Sequence, residues 1–264
     1  MFVDTHTHLF LEQFTEDIDA VMSRAVSSDI QRFYLPNIDR STFEQMMALV
    51  KKYPDHCLPL IGLHPCSVSE EFEAELDFVE EKARTGGFFG IGEVGIDLYW
   101  DETFLKQQQI ALARQIELAK ELALPIIIHC RDSFDEIFEV VDGLNDERLF
   151  GIFHCFTGDL AQANRIIEYD GFKMGMGGVL TFKNSGLDKT IAGVALEHLV
   201  LETDSPYLAP VPNRGKRNES SYLVEVAKKL AEIKGVSIEE VAEITTKNAN
   251  EVFKFGSALP HNEN

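Results

Sequence analysis

Short apolar runs alternate along the chain with longer amphipathic segments. The runs are Phe2–Thr5, Arg32–Asn37, Leu58–Leu63, Phe88–Glu93, Pro125–His129, Leu149–His154, Phe172–Gly175 and Leu199–Glu202. They are rich in Ile, Leu, Val and Phe, which predicts parallel strands buried on both faces. The stretches between them, Glu12–Asp29, Ser41–Tyr53, Ser69–Thr85, Glu102–Ala123, Ser133–Leu144, Leu160–Asp170 and Asn184–Ala195, predict helices. Two more helices, Ser220–Lys234 and Ser237–Phe253, follow the last strand. Ser41, Ser69 (before Glu70 and Glu71) and Ser237 (before Glu239 and Glu240) read as helix caps, because a hydroxyl oxygen accepts from the orphan N–H groups of a first turn. Eight strand–helix units in 264 residues predict an α/β fold, a (β/α)8 TIM barrel of the metallo-dependent hydrolase type. The rival is an open doubly wound sheet, which uses a Gly-rich turn after its first strand. His6-Thr7-His8 stands there instead.

Length divided by ~150 residues suggests about two domains, but barrels of ~250 residues form one. The expectation is a single domain over 1–264 with a frayed tail at 258–264. Basic residues number 24 against 44 acidic ones, a net charge of −20. That excludes a chain that coats nucleic acid through overall charge, and leaves room for a local cationic site. Cys57, Cys66, Cys130 and Cys155 form no C-x-x-C pair, so neither a structural zinc nor a disulfide framework is expected. The start, MFVDTHTHLF, lacks the pattern of a signal peptide, and no run reaches ~18 apolar residues. The expectation is a reduced, cytoplasmic protein with no membrane partner.

Polar residues collect at the C-terminal ends of the expected strands: His6 and His8, Asn37, His64, Glu93, His129, His154 and Asp204. A barrel gathers these ends on one face, where its active site lies. His6 and His8 are two apart, so in a strand both imidazoles share a face. Neutral imidazoles with Glu93 and Asp204 suit divalent transition metals. Four imidazoles (His6, His8, His129, His154) and two carboxylates exceed the needs of one tetrahedral zinc and suit two cations ~3.5–4 Å apart. Such a pair favours hydrolysis, with a phosphoester as the natural substrate. Arg131 shares the face of His129 and is able to neutralise a phosphate. Asn213–Glu219, with Arg214, Lys216 and Arg217, is the densest basic stretch and follows strand eight, where barrels often hold phosphate. It reads equally as a solvated loop paired to local acids. Cys130 and Cys155 each follow a candidate histidine, so alternation turns them toward the core. Tyr99 and Trp100 either stack on a base or pack locally. His56, His198 and His261 read as surface residues, and Pro206–Pro212 as a loop.

At these residues the chain resembles the TatD-type metal-dependent deoxyribonucleases, a branch of the amidohydrolase-like barrels. The matching stretches are DTHTHL (4–9), GLHP (62–65), GEVGIDLYW (92–100), PIIIHCRD (125–132), FHCFTGD (153–159) and ETDSPYLAPVPNRGKRNE (202–219). The resemblance implies one cation on His6, His8 and Asp204, and a second on His129 and His154. Glu93 would bridge them and Asp204 would serve as general base. His64, Arg131, Arg214 and Lys216 would contact substrate. It also implies hydrolysis of DNA phosphodiesters from the 3′ end with magnesium, manganese or zinc, and the charge favours single-stranded ends over duplex. Two departures stand out: Cys66 where members often carry His, and a variable loop at 98–100. The alternatives are an amidohydrolase acting on a small ester, amide or phosphoester, and a non-catalytic barrel that binds a nucleic-acid end or a partner.

Overall fold

The computed structural model describes Met1–Lys254. The expected tail at 258–264 and His261 lie outside the described residues. Eight parallel strands follow one another in chain order: β1 Phe2–Asp4, β2 Ile30–Pro36, β3 Cys57–Leu60, β4 Ile91–Asp97, β5 Ile126–Arg131, β6 Gly151–Phe153, β7 Phe172–Met176 and β8 Leu199–Leu201. The helices between them are α1 Ile18–Ser27, α2 Arg40–Lys52, α3 Phe72–Thr85, α4 Leu105–Leu122, α5 Phe134–Leu144, α6 Leu160–Glu168 and α7 Leu187–Ala192, with α8 Leu223–Lys234 and α9 Ile238–Val252 after β8.

β1–β3 and β4–β8 pair continuously, and hydrogen bonds cross both seams. Between β3 and β4, Ile61 N–H reaches Gly90 O and Gly92 N–H reaches Ile61 O. Between β8 and β1, Thr5 N–H reaches Leu201 O and Asp204 N–H reaches His6 O. The ring is the expected barrel.

Strand alternation sorts the core into two layers. Val3, Tyr34, Leu58, Leu60, Ile127, Ile152 and Val200 form one cluster with Ala249, Val252 and Phe253 of the C-terminal helical region. Their sequence neighbours Phe33, Leu35, Ile126, Ile128, Phe153, Leu199 and Leu201 belong to the other cluster, which packs against the helices. The first cluster fills the barrel, and Phe253 caps it by stacking on Tyr34 at 3.5 Å. With that end filled, polar groups gather at the other.

Local chemistry shifts several boundaries. Asp39, not Ser41, caps α2: its carboxylate accepts from Ser41 N–H, and Thr42 completes a capping box. Ser69 precedes α3 by a turn, and its hydroxyl accepts only from Glu71 N–H. Ser237 caps α9 as expected, accepting from Glu240 N–H. Among the described residues, no helix is long and apolar enough to cross a membrane.

Candidate active site

Glu93 stands at the centre of the polar end. The apolar run predicted a strand stopping at Glu93, but β4 continues to Asp97. A bulge between Ile91 and Val94 makes this possible. It keeps Ile91, Val94 and Ile96 in the outer core layer and turns Glu93, Gly95 and Asp97 to the other side. Glu93 N–H is held by Asn37 O at 3.0 Å.

The two oxygens of Glu93 face two groups of imidazoles. Oε2 lies 3.1 Å from His6 Nε2 and 3.3 Å from His8 Nε2. Oε1 lies 2.8 Å from His129 Nδ1, 3.0 Å from His154 Nε2 and 3.2 Å from His64 Nε2. Asp204 Oδ1 lies 3.8 and 3.6 Å from the Nε2 atoms of His6 and His8. β1 ends at Asp4, so strand alternation does not aim His6 and His8. Backbone bonds do: Thr7 N–H to Tyr34 O on one side, and His8 N–H to Ser205 O on the other. His64 also lies beyond its strand. Its Nδ1 accepts from Cys66 N–H, which leaves Nε2 directed at Glu93.

Donors sharing a tetrahedral cation at ~2.0–2.1 Å lie ~3.3 Å apart. His6 Nε2, His8 Nε2 and Glu93 Oε2 are separated by 3.1 to 3.3 Å. His129 Nδ1 and His154 Nε2 are 3.4 Å apart beside Oε1. Both groups therefore have the spacing a cation requires. His129 supplies a second argument. Its Nε2 lies 2.9 Å from Asp97 Oδ2 and its Nδ1 2.8 Å from Glu93 Oε1, so the neutral ring, with a single N–H, turns a lone pair toward one of the two carboxylates. That contact is repulsive unless the ring is protonated or a cation is shared.

Electrostatics agree. Burial favours neutral Glu93, but the charges of His64, His154 and His6 and the His129 hydrogen bond outweigh it and hold the carboxyl well below its usual range. Burial likewise opposes charge on His8, yet the facing carboxylates of Asp204 and Glu93 push it up to about 9. His129 and His154 are raised against burial by Asp97, Glu93 and Glu202, whereas burial lowers His6 and His64. Without metal, stability from His8 is present below its ordinary value of 6.5 and lost as pH rises through about 9. His129 and His154 act in the same sense. Asp4, raised to about 7 chiefly by burial, also loses its contribution as pH rises. His6 and His64 act below 6.5, where they disfavour the acid side. The melting temperature of chelated protein is therefore expected to fall between pH 6.5 and 9. A flat or rising melting temperature across that window contradicts this charge assignment.

Sequence reasoning missed two acids. Asp97 shares the face of Glu93 by simple alternation, and Tyr99 N–H bonds to its Oδ1 at 3.0 Å. Fixing the outer nitrogen of a ligand histidine sets its tautomer. Asp97→Asn is expected to weaken metal affinity about 10–100-fold with the fold intact, checked by metal titration. Glu202 is fully buried, and its Oε1 lies 3.3 Å from His154 Nδ1. It forms a third group with His6 and His154 that is able to hold a cation. Gly175 makes room for it, since a Cβ there would meet Glu202 Oε2 at 2.0 Å.

Other expectations need correction. β6 stops at Phe153, and Cys155 has φ +46, so alternation does not turn Cys155 away from the site. Burial pushes its thiol well above the usual range, reinforced by the charges of Asp204, Glu202 and Glu93. Cys130 is partly buried against the outer core. The basic stretch after β8 is not a unit. Arg217 is tied to Asp17 by two bonds of 2.7 Å and lies over Phe14, while Arg214 and Lys216 are exposed. Arg131 is exposed and lies over the Tyr99 ring.

Known proteins match this arrangement over nearly the whole chain. A profile of the family described as TatD related DNase matches residues 3–254. YabD of Bacillus subtilis, described as an uncharacterized metal-dependent hydrolase, is 37% identical over 97% of this chain and 100% of its own. A Salmonella typhimurium relative named 3′-5′ ssDNA/RNA exonuclease TatD is 30% identical over 95% of this chain and 98% of its own. The crystal structure of YjjV, a TatD homologue from Escherichia coli, superposes with a TM-score of 0.89 at 29% identity, covering 96% of this chain and 98% of that one. The match spans every strand that carries a donor, and the chain belongs to the TatD-related DNase family of metal-dependent hydrolases.

Proposed function

We propose that the chain hydrolyses DNA phosphodiester bonds from the 3′ ends of single strands, using two divalent cations (magnesium, manganese or zinc). The observation that carries this reading is the division of Glu93, whose Oε2 faces His6 and His8 and whose Oε1 faces His129 and His154. We assign one cation to His6, His8 and Asp204, the second to His129 and His154, and the bridge to Glu93. When bound, such a pair lowers the pKa of a water and neutralises charge on a phosphoryl oxygen.

Asp204 is the general base that takes the proton the attacking water gives up. Burial opposes its charge, but the facing imidazole of His8 and the charges of His154 and His6 keep it ionised. Its left-handed backbone, φ +57, is held by its own N–H to His6 O and by Tyr207 N–H to its carbonyl. His64 is 15% exposed against 2% for Glu93, so it is open to an incoming phosphate. Arg131, Arg214 and Lys216 are the exposed cations assigned to flanking phosphates. The name of the Salmonella relative supports single strands and the 3′ end, and so does the charge of −20, which repels long duplex.

The test is digestion of a 5′-labelled single-stranded oligonucleotide with magnesium or manganese. The expected result is a ladder shortening from the 3′ end, absent with chelator and slowed about 10²–10⁴-fold in Asp204→Asn. No cleavage by metal-loaded wild type, together with turnover of small esters or amides, would transfer the chain to the small-substrate amidohydrolases.

A further inference from the structure

Large exposed apolar side chains are few among the described residues, and most of them flank the candidate site. Tyr99 and Trp100 follow β4, and Tyr207, Leu208 and Val211 follow β8. In a ring of eight strands in chain order, β4 and β8 stand opposite one another. The two patches therefore follow strands on opposite sides of the ring.

Each patch touches the donor cluster. Tyr99 N–H is bonded to Asp97, which holds His129. The Tyr207 ring lies 6.3 Å from that of His8, and its N–H is bonded to Asp204 O at 2.9 Å. Each patch also carries an arginine on an aromatic ring. Arg131 lies 3.7 Å over Tyr99 and 5.4 Å from Trp100, and Arg214 lies 4.3 Å over Phe182 of the loop after β7. The loop after β8 is tied down, with Val211 N–H on Thr181 Oγ1 at 2.9 Å and Asn218 Nδ2 on Tyr207 O at 2.7 Å.

We propose that these patches are two nucleobase subsites, one on each side of the metal centre, built on Tyr99–Trp100 and on Tyr207. The proposal rests on the nuclease reading above and deepens it. A net charge of −20 weakens the long-range attraction of phosphates, so beyond the local cations stacking adds affinity that charge does not supply. An aromatic ring or a guanidinium plane takes any unpaired base by stacking, whatever its sequence. A paired base inside a duplex has both faces covered and gains nothing from such a ring. Two subsites flanking one centre hold the nucleotides on either side of the scissile phosphate. Binding by stacking also implies a shallow dependence on salt.

The test compares two 5′-labelled strands, an oligothymidylate and the same strand ending in abasic tetrahydrofuran units, with wild type, Trp100→Ala and Tyr207→Ala. Trp100 is 73% exposed and Tyr207 49%, so both variants are expected to melt with wild type. Wild type is expected to show a KM about tenfold lower on the base-bearing strand. Each variant is expected to raise that KM about tenfold, with kcat nearly unchanged, and to raise the abasic KM several times less. Equal wild-type KM values on the two strands, or equal losses in the variants, overturn the subsites and leave the nuclease reading standing. Failure of wild type to cleave either strand overturns both.

Discussion

Glu93→Ala is expected to reduce metal-dependent hydrolysis by about a thousandfold or more. Glu93 sets one carboxylate oxygen against each imidazole group, within 3.3 Å of the ring nitrogens. Removing it separates the groups electrically and structurally, and His6, His8, His129 and His154 do not replace a bridge. Glutamine is no rescue, because an amide nitrogen is not a cation ligand and the amide oxygen is neutral, so neither group keeps an anionic oxygen. The fold is expected to persist near neutral pH, since imidazoles that lose a counter-charge shed their protons instead of staying charged in the barrel. Steady-state rates on the oligonucleotide, with circular dichroism as the folding control, check both halves. Activity within tenfold of wild type would remove Glu93 from the chemistry.

Gly95→Ala is expected to destabilise the protein by about 3 kcal/mol or more, or to prevent folding. Gly95 pairs with His129 and has φ +138, a conformation that L side chains rarely adopt. A Cβ there would meet His129 O at 2.0 Å. That neighbour is backbone, so relief requires moving β5 and with it His129. Gly86→Ala is the control: φ is +79, but nothing lies within 4 Å of its Cβ, so only the backbone cost of about 1 kcal/mol applies. Denaturant melts of the two variants separate the steric term from the conformational one. Equal losses would show that the β4–β5 approach is not rigid.

The barrel was legible because eight apolar runs each bury both faces of a strand, a demand the sequence must meet locally. The candidate cluster was legible because His6, His8, Glu93, His129, His154 and Asp204 follow such runs, where an ionisable side chain has no apolar neighbour layer to join. Asp97 was hidden by Gly95, which interrupts the apolar run and makes β4 read as ending early. The bulge that restores the alternation depends on pairing with β5 and leaves no mark in composition. Glu202 was hidden because its space is made by Gly175 of another strand. Arg217 reads as a phosphate ligand in isolation, and only the chain's return past Asp17 neutralises it. Gly92 and Gly95 answer to the β4–β5 contact. In the fold, a Cβ on either would strike β5: Ile127 Cβ at 2.7 Å for Gly92 and His129 O for Gly95.

The role proposed for Glu93 is to join two cation sites. The most direct measurement strips the protein with chelator, adds manganese, and counts bound ions per chain for wild type and Glu93→Gln. Two ions are expected on wild type and fewer than two on the variant. Saturation of wild type at one ion, or two ions still held by Glu93→Gln, would contradict it.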